Sequence, residues 1–374
     1  MIIGVPRETV SGETRIAVVP GVVSQLAKDK HDVLVERGAG HAAHVSDAEL
    51  KAAGAAIAAS ADEVYAKADI VFKVQPPVEE ADRLREGSSL IGFLAPLANP
   101  GMIRTLARRR ITAYSMEYVP RISRAQSMDA LSSMATIAGY KAVMIGAQEL
   151  GKMFPLMMTA AGTIPPATVF ILGAGVAGLQ AIATAKRLGA KVEAFDPRPA
   201  VKEQVKSLGA MFVEMEMPAD AETEGGYAKE LSPEFIRKEM EAIAARLPKT
   251  SLLITTAQVF GKRAPVLITE EMVKLMHPGS VIVDIAAEQG GNCALTEAGK
   301  TVTKYGVVIA GPTNLAATVP VDASQMYARN VVTLFKHLYP KPDAQPDFAD
   351  EIAAGCCITR GGEVVHPAVK ASIG

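Results

Sequence analysis

Short apolar runs recur through the first third of the chain: MIIGV (1–5), DVLVE (32–36), DIVFKV (69–74), SLIGFL (89–94) and ITAYSM (111–116). Between them lie segments whose apolar positions repeat at helical spacing, such as GVVSQLAKDK (21–30) and PGMIRTLARRR (100–110). Near-continuous apolar runs separated by amphipathic segments are what a parallel sheet covered on both faces requires. The alternation resumes further on, with TVFIL (168–172), VEAF (192–195), MFVEM (211–215), LLITTA (252–257), VIVDIA (281–286) and GVVIAG (306–311). A late helix is predicted over DASQMYARNVVTLFKHLYP (322–340) and a small-residue helix over 130–150.

The pattern predicts an α/β fold with two Rossmann-like, doubly wound parallel-sheet domains and a cleft between them. A chain of 374 residues also exceeds the roughly 250–300 at which a single core stops growing. The expected boundaries are 1–128 with 315–374 for one domain and 140–305 for the other, with interdomain helical connections at 129–150 and 306–330. The uncharged stretch Met153–Ala185 is long enough to cross a bilayer, but Pro155, Pro165, Pro166 and four glycines would break such a helix. It divides better into loop, strand and helix.

Composition then removes whole classes of function. A net charge of −1 leaves no basic footprint for nucleic acid or an anionic membrane. The three cysteines, Cys293, Cys356 and Cys357, form no disulfide framework and no CxxC spacing, as in a reducing compartment. His41 and His44 make an HxxH with no Cys or carboxylate placed to complete a ligand set, so no metal site is expected. MIIGVPRE has no basic segment leading into an apolar one, so no signal peptide is expected.

The strongest chemical signal is TVFILGAGVAGLQAIATAKRLGAKVEAFD (168–196). A strand over Thr168–Leu172 runs into Gly173, Ala174, Gly175, Val176 and Gly178, a GxGxxG turn. A helix over Leu179–Leu188 and a strand over Val192–Phe195 follow, and the strand ends at Asp196. Gly173 permits the tight turn, Gly175 lets backbone approach a pyrophosphate, Gly178 lets helix and strand pack closely, and the helix start offers N–H groups to the phosphates. Asp196 would accept from the adenosine ribose hydroxyls and repel a 2′-phosphate, which favours NAD over NADP. Pro197 and Arg198 adjoin it, and Arg198 leaves that preference open.

Two further stretches are singled out. PRISRAQSMD (120–129) places charged and hydroxyl groups between the ITAYSM strand and the long small-residue helix, where a polar surface could meet a ligand. MPADAETEGGYAKEL (217–231) is a solvated loop or a lid that hinges at Gly225 and Gly226 and carries Tyr227 over a cofactor.

RISRAQSMD followed by LSS, MMTAAGTIPPATVFILGAGVAGLQAIATAKRLGA, EGGYAKE, APVLITEEMV, PGSVIVDIAAEQGGN and TRGGEVVHPA together resemble the NAD(H)-binding component, domain I, of proton-translocating nicotinamide nucleotide transhydrogenase, over nearly the whole chain. More distantly the chain is similar to alanine dehydrogenase. The first resemblance implies NAD(H) bound here and NADP(H) bound on a partner component, with hydride exchange between them coupled to proton movement. Its implied partners are a second copy of the chain and membrane-spanning and NADP-binding components. Its implied location is the cytoplasmic, inner face of the cell membrane, reached through those partners.

By the same resemblance Arg121, Gln126, Asp129 and Ser132 surround the nicotinamide and its ribose, in a contact set completed by Ile122, Ser123, Arg124, Gly226 and Tyr227. Gln126 stands nearest the incoming NADP. MFPLMMTAAGTIPPATV (153–169) would form a β-hairpin reaching a second copy, and its methionines are more than a lone surface hairpin should expose. Arg15 and Lys73 occupy positions that alanine dehydrogenase uses, but its histidine and aspartate are replaced by FLAPLANP and by Glu288. Transfer between two nicotinamide rings needs no group to move a substrate proton, so Arg15 and Lys73 are expected to be structural or vestigial. An alanine-dehydrogenase-like enzyme acting alone and a non-catalytic NAD-binding sensor remain open alternatives.

Overall fold

The computed structural model describes residues 1–214, 233–259, 261–341 and 344–373. Strands, numbered along the chain, are β1 Ile2–Val5, β2 Asp32–Glu36, β3 Ala56–Ala58, β4 Ile70–Phe72, β5 Ser89–Gly92, β6 Thr112–Ser115, β7 Met157–Thr159, β8 Gly162–Ile164, β9 Thr168–Leu172, β10 Lys191–Phe195, β11 Met211–Phe212, β12 Leu252–Thr255, β13 Val281–Asp284, β14 Thr301–Lys304, β15 Val307–Ala310, β16 Cys357–Arg360 and β17 Glu363–Val364. The chain divides into two compact units, Met1–Met134 with Ala316–Gly374, and Ala135–Leu315.

In the first unit the sheet order is β17-β16-β6-β5-β4-β1-β2-β3. β1 to β6 pair in parallel and β16 and β17 extend the edge antiparallel. This is the doubly wound order expected when each crossover is right-handed and the winding reverses once, here between β1 and β4. The late helix runs over Pro320–Leu338 and buries Tyr327, Val331, Leu334 and Phe335, while a short helix, Glu351–Cys356, leads into β16.

The second unit repeats the design with order β11-β10-β9-β12-β13-β15-β14, all parallel except β14. Its strands explain the unbroken apolar runs. Val169 and Ile171 of β9 face one core with Ala181, Ile182 and Val143, whereas Phe170 and Leu172 face another with Ile243, Leu247 and Val273. Alternate residues point to opposite faces, so a strand covered on both sides has no polar position to show.

The Ala130–Glu149 helix is rich in small residues because it packs closely. A Cβ on Gly139 would stand 2.1 Å from the carbonyl oxygen of Ala177, and one on Gly146 would meet the Leu252 side chain at 2.5 Å. The helix after the glycine turn spans Val176–Arg187, three residues earlier than the apolar pattern suggests. Gly175 is its N-cap and accepts the first helical bond, from Leu179 N at 2.8 Å, so the turn itself supplies the first helical residues. GVVIAG forms the strand its apolar run predicts: Val307–Ala310 is β15, hydrogen-bonded in parallel to β13, so the connection expected over 306–330 begins only after it.

Met157–Thr159 and Gly162–Ile164 pair as an antiparallel hairpin with every residue exposed. Among the described residues no helix is long and apolar enough to cross a membrane, and no three His, Cys, Asp or Glu residues are grouped to hold a metal ion.

Candidate cofactor site

In the second unit the glycine loop lies at the C-terminal ends of β9 and β12, where the sheet winding reverses and open α/β sheets present their ligand crevice. Gly173 has φ +93°, a conformation that strains any side chain. Gly178 is required by contact: a Cβ there would stand 1.9 Å from the Gly173 carbonyl oxygen. Near Gly175 an added Cβ would find only Arg198 Nη2, at 3.8 Å, so the outer side of the loop is open. A cradle that closes on itself at Gly178 and stays open at Gly175 fits a diphosphate resting on the helix start. No acidic side chain stands in that first turn to occupy its positive end, while Lys186 and Arg187 in the last turn suit the negative end of the helix dipole.

Asp196 is buried at the end of β10. Its Oδ2 accepts from Ala174 N at 2.7 Å and Arg198 Nη2 at 2.8 Å, and its Oδ1 accepts from Arg198 N at 2.9 Å and Nε at 2.8 Å. The carboxylate therefore ties the glycine loop to the Pro197–Arg198 segment. Glu239, on the Pro233–Ala244 helix, is also buried, and burial together with the charge of Asp196 pushes its carboxyl up to about 7.

Three residues that the apolar pattern and the motifs did not single out support the loop. Thr256 Oγ1, just beyond β12, donates to the carbonyls of Leu172 and Gly173 at 3.2 and 3.1 Å. Asn292 accepts from Ala257 N and donates to Ala257 O and Pro265 O. Asp284, fully buried, accepts from Thr255 and Thr296 hydroxyls and from the N–H groups of Ala286, Asn292 and Cys293. A polar residue closing each apolar run, in LLITT and VIVD, was the available signal.

In the first unit Pro120, Arg121, Ile122, Ser123, Ala125, Gln126, Asp129 and Ser132 line one recess of about 290 Å³. Ser123–Met128 is a 3-10 turn anchored inward by buried Ala125 and Met128, with Arg121, Ser123 and Gln126 exposed. Asp129 accepts from Ser132 N at 2.8 Å and Ser132 Oγ at 2.6 Å. It thus caps the long helix while also standing in the recess wall. Arg124 is not in that wall; its Nη1 donates to Asp350 Oδ2 at 2.7 Å. Gly226 and Tyr227 lie outside the described residues.

Residues 4–138 match the family model for the alanine dehydrogenase/PNT N-terminal domain and residues 142–367 that for its C-terminal domain. The chain belongs to the alanine dehydrogenase/PNT family. It is 51% identical to an NAD(P) transhydrogenase subunit alpha polypeptide of Rhodospirillum rubrum, across 99% of both chains. It is 33% identical to the alanine dehydrogenase of Bacillus subtilis, across 100% of this chain and 95% of that one. The crystal structure of transhydrogenase from Sinorhizobium meliloti superposes with TM-score 0.89 at 41% identity, covering 98% of this chain and 100% of the other.

Within this family the fate of Arg15 and Lys73 is informative. Arg15, 5% exposed, grips Glu13 with two bonds, Nε to Oε1 at 2.7 Å and Nη2 to Oε2 at 2.6 Å. Lys73, 1% exposed, has Glu80 at 3.0 Å and Glu8 at 3.5 Å. Burial would raise the Glu13 carboxyl, but Arg15 overrides it and holds the group down at about 2. Both cations are thus engaged by carboxylates of the chain itself.

Proposed function

We propose that this chain is the NAD(H)-binding component of a proton-translocating NAD(P) transhydrogenase, exchanging hydride between NADH held here and NADP⁺ held on a partner component. The observation that carries the reading is the glycine cradle of Gly173 to Gly178 tied to Asp196. The cradle would hold the diphosphate, and Asp196, Pro197 and Arg198 the adenosine ribose. Arg121, Gln126, Asp129 and Ser132 would surround the nicotinamide half, with Ile122 and Ser123 in further contact with the cofactor. NADH supplies the hydride from C4 of its nicotinamide ring. The work of the protein is orientation, since transfer needs donor and acceptor carbons about 3–3.5 Å apart with orbitals aligned. The chain needs no proton-moving base at the ring, and the pairing of Arg15 with Glu13 and of Lys73 with Glu80 supports a route other than amino-acid oxidation.

The decisive experiment mixes the purified chain with an NADP-binding transhydrogenase component and follows hydride transfer between NADP(H) and an NAD⁺ analogue. Transfer that needs both components is expected. NADH oxidation by the chain alone with pyruvate and ammonia would overturn the reading in favour of an alanine-dehydrogenase activity. Cofactor binding without any transfer would leave a sensor. Gln126→Asn, one methylene shorter, is expected to keep NADH affinity nearly unchanged and slow transfer about tenfold.

The chain is further proposed to act as a homodimer at the inner face of the cell membrane, held there by membrane-spanning partners. The exposed hairpin supports this: Met158 is 79% exposed and Met153, Leu156, Met157 and Ile164 accompany it, an apolar group that a second copy would cover. Light scattering at micromolar concentration should return twice the chain mass.

A further inference from the structure

The Ser123–Met128 turn is six residues long, anchored inward by Ala125 and Met128 and flanked by bonds from Ala125 N to Ile122 O and from Asp129 N to Gln126 O. Its other restraints come from the far end of the chain. Asn330 Nδ2, on the Pro320–Leu338 helix, donates to Ser127 O at 2.9 Å. Gly355, on the Glu351–Cys356 helix, lies so close to Pro120 that a Cβ would meet the ring at 2.8 Å. Along the chain, Asp350 lies between Asn330 and Gly355.

One carboxylate joins three segments there. Asp350 Oδ1 accepts from Ile352 N at 2.9 Å and Ala353 N at 3.2 Å, capping the short helix, and from His337 Nε2 at 2.8 Å on the long helix. Asp350 Oδ2 accepts from Arg124 Nη1, in the turn, at 2.7 Å. The His337 bond, followed by that of Arg124, holds the Asp350 carboxyl well below its usual range, so the junction stays ionised at any working pH.

We propose that Asp350 is a positioning residue for hydride transfer, acting through Arg124 to fix the Ser123–Met128 turn and with it the place of Gln126 in the recess. This rests on the reading of the recess as the nicotinamide site. Arg124 then serves transfer from outside the wall, by fastening the turn whose next residues, Ala125 and Gln126, line the recess. The Arg124 side chain is half exposed, and exposed ion pairs contribute little to stability. A purely structural bond of that kind would leave transfer untouched when cut.

Asp350→Asn tests this, because asparagine caps a helix about as well as aspartate and still accepts from His337, while the ion pair to Arg124 is lost. Only Glu351 then remains near Arg124, 3.9 Å from its Nη2 and beyond hydrogen-bond reach. With the full chain mixed with the NADP-binding component, transfer at saturating cofactor is expected to fall roughly five- to tenfold, with the NADH dissociation constant changed less than about threefold. Arg124→Gln should reproduce the loss, and the double variant should add nothing further. Unchanged transfer in Asp350→Asn, or losses that multiply in the double variant, would overturn the proposal. If Asp350→Asn melts early, Arg124→Gln, which leaves the cap alone, decides the matter by the same split between affinity and rate. A slowed Gln126→Asn beside an unaffected Asp350→Asn overturns the junction alone, whereas undiminished transfer in Gln126→Asn removes the reading of the recess on which it stands.

Discussion

At Gly173–Gly178 the groups offered to a ligand are backbone N–H groups at the start of a helix, whereas at Pro120–Ser132 they are side chains on a short 3-10 turn. The first arrangement is built by what is missing: no Cβ fits between Gly178 and Gly173, and the helix start provides donors whatever residues follow. The second depends on what is present and on distant restraints, from Asn330 and Asp350, to hold it. A backbone cradle can grip any diphosphate, so on the proposed reading it would supply affinity. A side-chain recess can set the rotation of a planar ring, so on the same reading it would supply geometry and rate. The two regions should therefore respond to mutation in different observables.

The largest effect should come from Gly178→Val, which forces a branched side chain against the Gly173 carbonyl. Loss of NADH binding by more than about a hundredfold is expected, with unfolding of the second unit shifted by several kcal/mol or more. Wild-type affinity in fluorescence titration would show that the loop does not hold the cofactor.

Next in size is Glu239→Gln. Below pH 4.5 the Glu239 carboxyl is protonated in folded and unfolded chains alike. Between pH 4.5 and about 7 the unfolded chain ionises first and stability falls, and above about 7 the whole penalty is felt. The variant should therefore be more stable than the parent at pH 8, by up to about 3 kcal/mol, with the advantage shrinking toward pH 4.5. Denaturant titrations at the two pH values measure it, and a pH-independent difference would mean that the carboxyl is not carrying its burial cost.

Asp196→Ala should narrow the preference for NADH over NADPH by roughly tenfold, since it removes a carboxylate that repels a 2′-phosphate and engages the Arg198 guanidinium. Equal affinities for the two reduced cofactors in the unmodified protein would already refute the assignment of Asp196.

The smallest effect sharpens the contrast most. Ser132→Ala removes the hydroxyl bond to Asp129 Oδ2 and leaves the capping bond from the residue 132 N–H to Oδ1. Transfer should slow about three- to fivefold with the fold intact, whereas an effect on affinity alone would place this side of the recess with the cradle.

What the order of residues determined by itself is everything that depends on local pattern. Near-continuous apolar runs announced strands covered on both faces, hence the doubly wound α/β class. The glycine spacing with Asp196 beyond it marked the cradle, because φ at Gly173 and the contact at Gly178 are set within a few residues. The polar stretch at 120–129 was visible in the chain, whereas the roles of Arg121, Gln126, Asp129 and Ser132 came from the family resemblance alone. The helix start at Val176 was misjudged because alanine and glycine carry no amphipathic signal, whereas GVVIAG was read correctly as a strand and only the start of the following connection was set too early. The tertiary structure alone decided which charged groups meet. Arg124 lies 226 positions from Asp350, Asn330 reaches back 203 to Ser127, and Lys73 pairs with both Glu8 and Glu80. Ion pairs and side-chain hydrogen bonds act over a few ångströms of space and leave no periodicity in the chain, so only the packing of helices against the sheet reveals them.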